Sequence, residues 1–165
     1  MSYRIIVGIM GPGEGASEEE MQNAFELGSL IAKQKWVLLT GGGGAGVMDA
    51  AARGAKAEGG TVVGILPGAD TSGLSGSVDI PIVTGMHDAR NSINVLSSQA
   101  LFFVGMNPGT ASELSLALKY RKPSILVCQK EAVIEVFRSM RDHCIETADT
   151  PSSAIAAAKK HLTMS

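Results

Sequence analysis

The chain lacks most of what would tie it to a nucleic acid, a membrane or a protein-held metal. Aromatic residues make up 4% of its 165 residues, which leaves few ring faces for stacking unpaired bases. Lysine and arginine number 14 against 16 aspartates and glutamates, for a formal charge of −2. With a pI near 5.9, there is no cationic excess to neutralise a polyphosphate backbone. Nucleic acid is not an expected partner. No apolar run approaches the roughly twenty residues of a membrane span. No long, basic apolar leader opens the chain either, since Arg4 precedes a short apolar run that ends at Gly8. A cytoplasmic protein without membrane association is expected.

Cysteine is equally sparse. Cys128 and Cys144 form no C-x-x-C pair and lack the histidine spacing of a zinc site. They suit a reducing compartment, and Cys128, beside Ser124-Ile125-Leu126-Val127, reads as a buried apolar residue. His87, His143 and His161 lie on separate segments, so no protein-ligated metal is expected.

What the chain has instead is glycine, 20 residues of it. The stretch Trp36 to Met48 runs an apolar strand into four consecutive glycines, Gly41, Gly42, Gly43 and Gly44, with a helix opening near Ala45 or Gly46. Glycine has no Cβ and tolerates positive φ, so such a turn can bring backbone N–H groups against a ligand. The helix start adds unsatisfied N–H groups and a positive dipole end. A small phosphorylated ligand is the first expectation.

Short apolar runs alternate with helix-like segments: Ile5 to Val7, Val37 to Leu39, Val62 to Leu66, Ile80 to Val83, Leu101 to Val104 and Ile125 to Val127. None alternates polar with apolar, so each strand is covered on both faces. The expected fold is a single α/β domain over 1–165, a Rossmann-like three-layer sandwich with a mainly parallel twisted sheet. Pro81 suits an edge position. Helices are predicted behind the capping box Ser17–Glu20, along the small-residue stripe Val47, Ala50, Ala51, Gly54 and Ala55, and from Asp88 as cap to about Leu96. Others follow the capping box Thr110–Glu113 as far as Leu118, from about Ala132 to Arg141, and from Pro151 to His161. The stripe would let its helix sit close to the sheet, and the Ser- and Gly-rich Asp70–Asp79 reads as a mobile surface loop.

Ligands of open parallel sheets bind beyond the carboxyl ends of the strands. Those ends carry Gly11-Pro12-Gly13-Glu14-Gly15, Gly41 to Gly44, Pro67-Gly68, Gly85-Met86 and Gly105-Met106-Asn107-Pro108-Gly109. Gly41, Gly43 and Gly46 satisfy G-x-G-x-x-G, with Asp70 as a ribose-binding acid, but the pattern is nearly automatic within a glycine run and follows the second strand. The triphosphate-loop pattern fails because Val47 and Met48 stand where Lys and Ser or Thr are required. The loop Gly11-Pro12-Gly13-Glu14-Gly15 reads equally as a second backbone approach site, though Glu14 pointing inward would repel an anion, or as a plain strand-to-helix turn. Arg90 can offer a bidentate fork to a phosphate, or lie on the surface. Glu113, three residues after Thr110, can close a capping box, or face the ligand as a base.

Met86-His87-Asp88-Ala89-Arg90-Asn91, Leu101 to Val104 and Pro108-Gly109-Thr110-Ala111-Ser112-Glu113, taken with Thr40 to Met48, resemble a known superfamily. It holds the molybdenum cofactor carrier proteins and the "lonely guy" cytokinin-activating phosphoribohydrolases, long mislabelled lysine decarboxylases. The resemblance runs from Gly8 to about Val127. The hydrolase hallmark is P-G-G-x-G-T-x-x-E with an arginine one helix upstream. Gly109, Thr110, Glu113 and Arg90 match it by position, whereas Gly105, Met106 and Asn107 occupy the P-G-G places. That departure, and the Ala89-Arg90-Asn91 triplet, place the resemblance nearer the carrier branch.

The resemblance implies molybdenum cofactor as bound cargo, a pterin with a dithiolene-bound metal and a terminal phosphate monoester. The implied site comprises Gly11, Pro12, Gly41 to Gly44, Arg90, Asn91, Asn107, Pro108, Gly109, Thr110 and Glu113. It implies further a homodimer or homotetramer and cofactor-accepting molybdoenzymes as partners. On the hydrolase alternative, Arg90 and Glu113 would carry the cleavage of a nucleoside 5′-monophosphate.

Overall fold

The computed structural model describes residues 3–162; Met1, Ser2 and Thr163 to Ser165 lie outside the described residues. Seven strands, β1 (Ile6–Met10), β2 (Val37–Thr40), β3 (Thr61–Leu66), β4 (Ile80–Val83), β5 (Ala100–Val104), β6 (Ser124–Val127) and β7 (Ile145–Ala148), form one sheet. Its order is β4-β3-β2-β1-β5-β6-β7, with every neighbouring pair parallel. The helices are α1 (Glu18–Lys33), α2 (Gly46–Ala57), α3 (Asn91–Ser97), α4 (Pro108–Lys119), α5 (Glu131–Arg141) and α6 (Pro151–Leu162). The chain winds outward from β1 to β4, crosses back to place β5 beside β1, and winds outward again. Between β1 and β5 the crossovers diverge, which makes that gap the topological switch point of an α/β, Rossmann-like fold.

Except in β4, all four residues of which are exposed against the expected cover on both faces, the unbroken apolar runs are explained by two cores. Ile9, Leu38, Phe102 and Ile125 face α1, α2 and α6, whereas Met10, Leu39, Phe103 and Leu126 face α3, α4 and α5. Adjacent residues of one strand thus serve opposite cores, and all five residues of β5 are buried. Pro81 lies on edge strand β4, where a missing N–H costs no ladder bond.

The Val47–Ala55 stripe sets α2 against the sheet as expected, and against α1 as well: a β-carbon on Gly54 would collide with the Phe25 carbonyl, and one on Gly28 with the Ala51 carbonyl. Glycine at both positions therefore sets the helix separation. Other expectations are corrected. Asp70–Asp79 is strapped to the glycine run, since Gly44 N–H donates to the Gly73 carbonyl (2.8 Å) and Ser75 N–H to that of Gly42 (2.9 Å). The Ser75 hydroxyl also donates to Asp49 (2.7 Å). Asp88 caps no helix but sits in a 3-10 turn, His87–Arg90, that leads into α3. Cys128 is exposed and Cys144 buried. Strand β7 was not anticipated, because Glu146 and Thr147 interrupt its apolar character.

Candidate functional site

Loops from β1, β2 and β5 meet over the switch point and enclose a cavity of about 160 Å³. Gly41 forms part of its lining, and its missing side chain leaves room for Arg90 and Met48. A β-carbon there would lie 2.8 Å from both Arg90 Nη1 and Met48 Sδ. Of the residues expected at the site, Gly11, Gly41, Arg90, Asn91, Asn107, Gly109, Thr110 and Glu113 line the cavity.

Pro12, Gly42, Gly43, Gly44 and Pro108 do not line it, and their backbone explains why. Gly42 N–H donates to Thr40 Oγ1 (3.1 Å), and Gly44 N–H is taken by the Gly73 carbonyl. Gly43 pairs with Leu74 in an isolated antiparallel bridge. The Pro12 carbonyl accepts the Val47 N–H (2.9 Å), which fixes the start of α2 against the β1 loop, and Pro108 opens α4. The four-glycine run is therefore mostly a scaffold for the strap over residues 70–79.

Asn107 is the N-cap of α4. Its Oδ1 accepts from Thr110 N–H (2.8 Å) and from Thr110 Oγ1 (2.9 Å), so both donors of Thr110 at this helix start are engaged from within the chain. The predicted Thr110–Glu113 capping box does not form. Glu113 instead turns inward, 8% exposed, and its Oε1 accepts from Asn94 Nδ2 (2.8 Å). Burial raises its pKa to about 7, while the Asn94 hydrogen bond and the Arg90 charge pull it back only in part.

Arg90 is half-buried, and its Nε is buried without a hydrogen-bond partner. Desolvation lowers its pKa against the opposing charges of Glu113 and Asp88. A guanidinium N–H held out of water and left unused marks a place for an anionic acceptor. Asp88 stands exposed at the mouth. With Glu113 protonated, Arg90 and Asp88 cancel; once it ionises, the lining carries one net negative charge. The cavity thus opposes an anion less below neutral pH than above it.

Ile9, Met10, Gly13, Met48 and Asp88 also line the cavity. Gly13 lies in the first glycine loop, Met48 ends the Thr40 to Met48 stretch of the resemblance and Asp88 is the expected helix cap, whereas Ile9 and Met10 carry no signal in the sequence. A second cavity of about 260 Å³ lies beside Ser17, Glu19, Glu20, Cys128 and Lys130, where carboxylates suit an anion less well. Among the described residues, no group of three or more His, Cys, Asp or Glu is placed to hold a metal ion.

The profile of the SLOG cluster4 family matches residues 4–155. The molybdenum cofactor binding protein of the phototrophic bacterium Rippkaea orientalis superposes with a TM-score of 0.96 at 44% identity, over 98% of this chain and 99% of that one. The molybdenum cofactor carrier protein of Chlamydomonas reinhardtii gives 0.93 at 47%, over 98% and 99%. A cytokinin riboside 5′-monophosphate phosphoribohydrolase of Rhodococcoides fascians is 27% identical over 162 residues, 92% of this chain and 80% of that protein.

Proposed function

The chain belongs to the SLOG cluster4 family, and from its likeness to molybdenum cofactor binding and carrier proteins we propose that it binds molybdenum cofactor as cargo, for storage, protection or transfer to molybdoenzymes. The carrying observation is the small polar cavity at the switch point, lined by Arg90, whose Nε–H has no partner and whose terminal nitrogens reach the glycine floor. Its near-identical architecture with two cofactor-binding proteins supports the reading. A cavity of about 160 Å³ is smaller than the roughly 300–1,000 Å³ that encloses a whole ligand. It takes one end of the cargo, and the phosphate monoester is the end that suits Arg90.

A carrier needs donors, a walled pocket and reversible release, and no bond-breaking machinery. The metal arrives inside the cargo. Mixing the purified protein with released cofactor, removing the unbound fraction and adding a cofactor-free molybdoenzyme tests this directly. Retention and delivery are expected, both reduced at least tenfold by Arg90→Ala. Loss of all cofactor during desalting at micromolar protein rejects the reading. The exposed apolar residues of edge strand β4, Ile80, Ile82 and Val83, support assembly into a homodimer or homotetramer, which sedimentation measures. No described helix is long and apolar enough to cross a membrane.

One observation favours the phosphoribohydrolase alternative: Glu113, with a pKa near 7 beside Arg90, could exchange a proton at neutral pH. Asn107 opposes it, because its side chain occupies the helix start where a nucleotide phosphate would be held. Release of adenine from adenosine monophosphate decides between the two.

A further inference from the structure

Met48 is a large, half-buried apolar side chain in the first turn of α2 that belongs to neither hydrophobic core. It lies across the cavity floor. Its methyl carbon is 3.0 Å from where a β-carbon on Gly13 would stand and 2.8 Å from the corresponding point on Gly43. Its sulfur is 2.8 Å from that point on Gly41, the same point that Arg90 Nη1 approaches to 2.8 Å. Glycines from two separate loops thus make room for one thioether, which fills the space beside the guanidinium that a ligand would use.

Nothing polar fixes that thioether. Methionine has three rotatable side-chain bonds and is held by dispersion alone, so turning it aside breaks no hydrogen bond. We propose that Met48 is a displaceable plug: ligand seats on the floor of Gly13, Gly41 and Gly43 only after this side chain swings out, and the plug selects ligands able to displace it. The proposal rests on the cargo-binding reading and makes Met48 a specificity-determining residue. It also accounts for a cavity smaller than its cargo.

Labelling the methionine methyl groups with carbon-13 gives the test, the Met48 resonance being the one of eight methionine signals that disappears in Met48→Ala. On titration with inorganic phosphate, and separately with molybdenum cofactor, that resonance is expected to shift in step with binding. Met48→Ala is expected to associate with cofactor about tenfold faster. Met48→Ile, whose branched side chain has essentially one χ1 rotamer in a helix, is expected to associate at least tenfold more slowly at an unchanged melting temperature. Cofactor bound with an unmoved Met48 methyl, or slower association by Met48→Ala, overturns the plug and leaves the carrier reading standing. Phosphate that moves the methyl while cofactor is not retained overturns the carrier reading alone. A chain that binds neither loses both.

Discussion

A carboxyl group buried as deeply as that of Glu113 is comfortable only while it keeps its proton. Its folded pKa of about 7 stands above the ordinary 4.5, so between those values the native state holds a proton that the unfolded chain has released. The stabilising contribution is complete below about pH 4.5 and is lost as pH rises through 7, a fall of roughly 3 kcal/mol at about 1.4 kcal/mol per unit. Urea midpoints at pH 5, 6, 7 and 8 are expected to decline accordingly. Glu113→Gln keeps an acceptor for Asn94 and is expected to flatten the profile, so an equally steep decline in the variant rejects the assignment. The affinity for anionic cargo follows the same sign, weakening above pH 7 as the lining gains a negative charge. Asn107 gives a separable test. Replacement by alanine removes the cap and costs about 1 kcal/mol, whereas glycine costs only a few tenths. Asn107→Gly also frees Thr110 N–H, so calorimetry is expected to show about tenfold tighter adenosine monophosphate binding at nearly unchanged stability.

Between elements, the crossing of α1 and α2 is decided by two glycines. Alanine at Gly54 gains about 1 kcal/mol of helix propensity, but its methyl meets the Phe25 carbonyl, and no side-chain rotation relieves a clash with backbone. Overpacking of this kind costs typically 1–3 kcal/mol and occasionally more. A net loss of about 2 kcal/mol is expected for Gly54→Ala, seen as a melting temperature about 4–8 °C lower. Gly76→Ala, with open space around it, is expected to stay within about 0.5 kcal/mol. Elements like these were readable where local chemistry and packing agree. Continuous apolar runs in β1, β2, β3, β5 and β6 gave the parallel sheet, and the Ser17–Glu20 capping box forms as written. Reading failed where a residue's partner is remote in sequence. Glu113 satisfied the local cap pattern yet is drawn inward by Asn94 on α3. The amides of Gly42 and Gly44 face inward to Thr40 and Gly73, which no spacing within the glycine run reveals. Met48 ends the Thr40 to Met48 stretch without a role of its own there, and only the convergence of Gly13, Gly41 and Gly43 around it marks its place.

For the molecule as a whole, attraction to an anionic cargo is local. The formal charge of −2 gives no favourable long-range field, so steering of the kind that quickens association of opposite charges is absent. What attracts is Arg90, withdrawn from solvent and hence weakly screened by salt. Two opposing expectations can therefore be separated by stopped-flow measurement of cofactor association at roughly 0.02 and 0.15 M salt, a range over which the Debye length contracts from about 20 Å to 8 Å. If binding depended on a surface field of lysines and arginines, the rate would fall several-fold as that field is screened. With a net negative surface and one sheltered guanidinium, the rate is expected to hold or rise slightly, because screening then removes a weak repulsion. Dissociation is expected to carry the loss in Arg90→Ala, since the contact is made only after the cargo has entered. A wild-type association rate that drops tenfold with salt would place the attraction on the surface and take it away from the switch-point cavity.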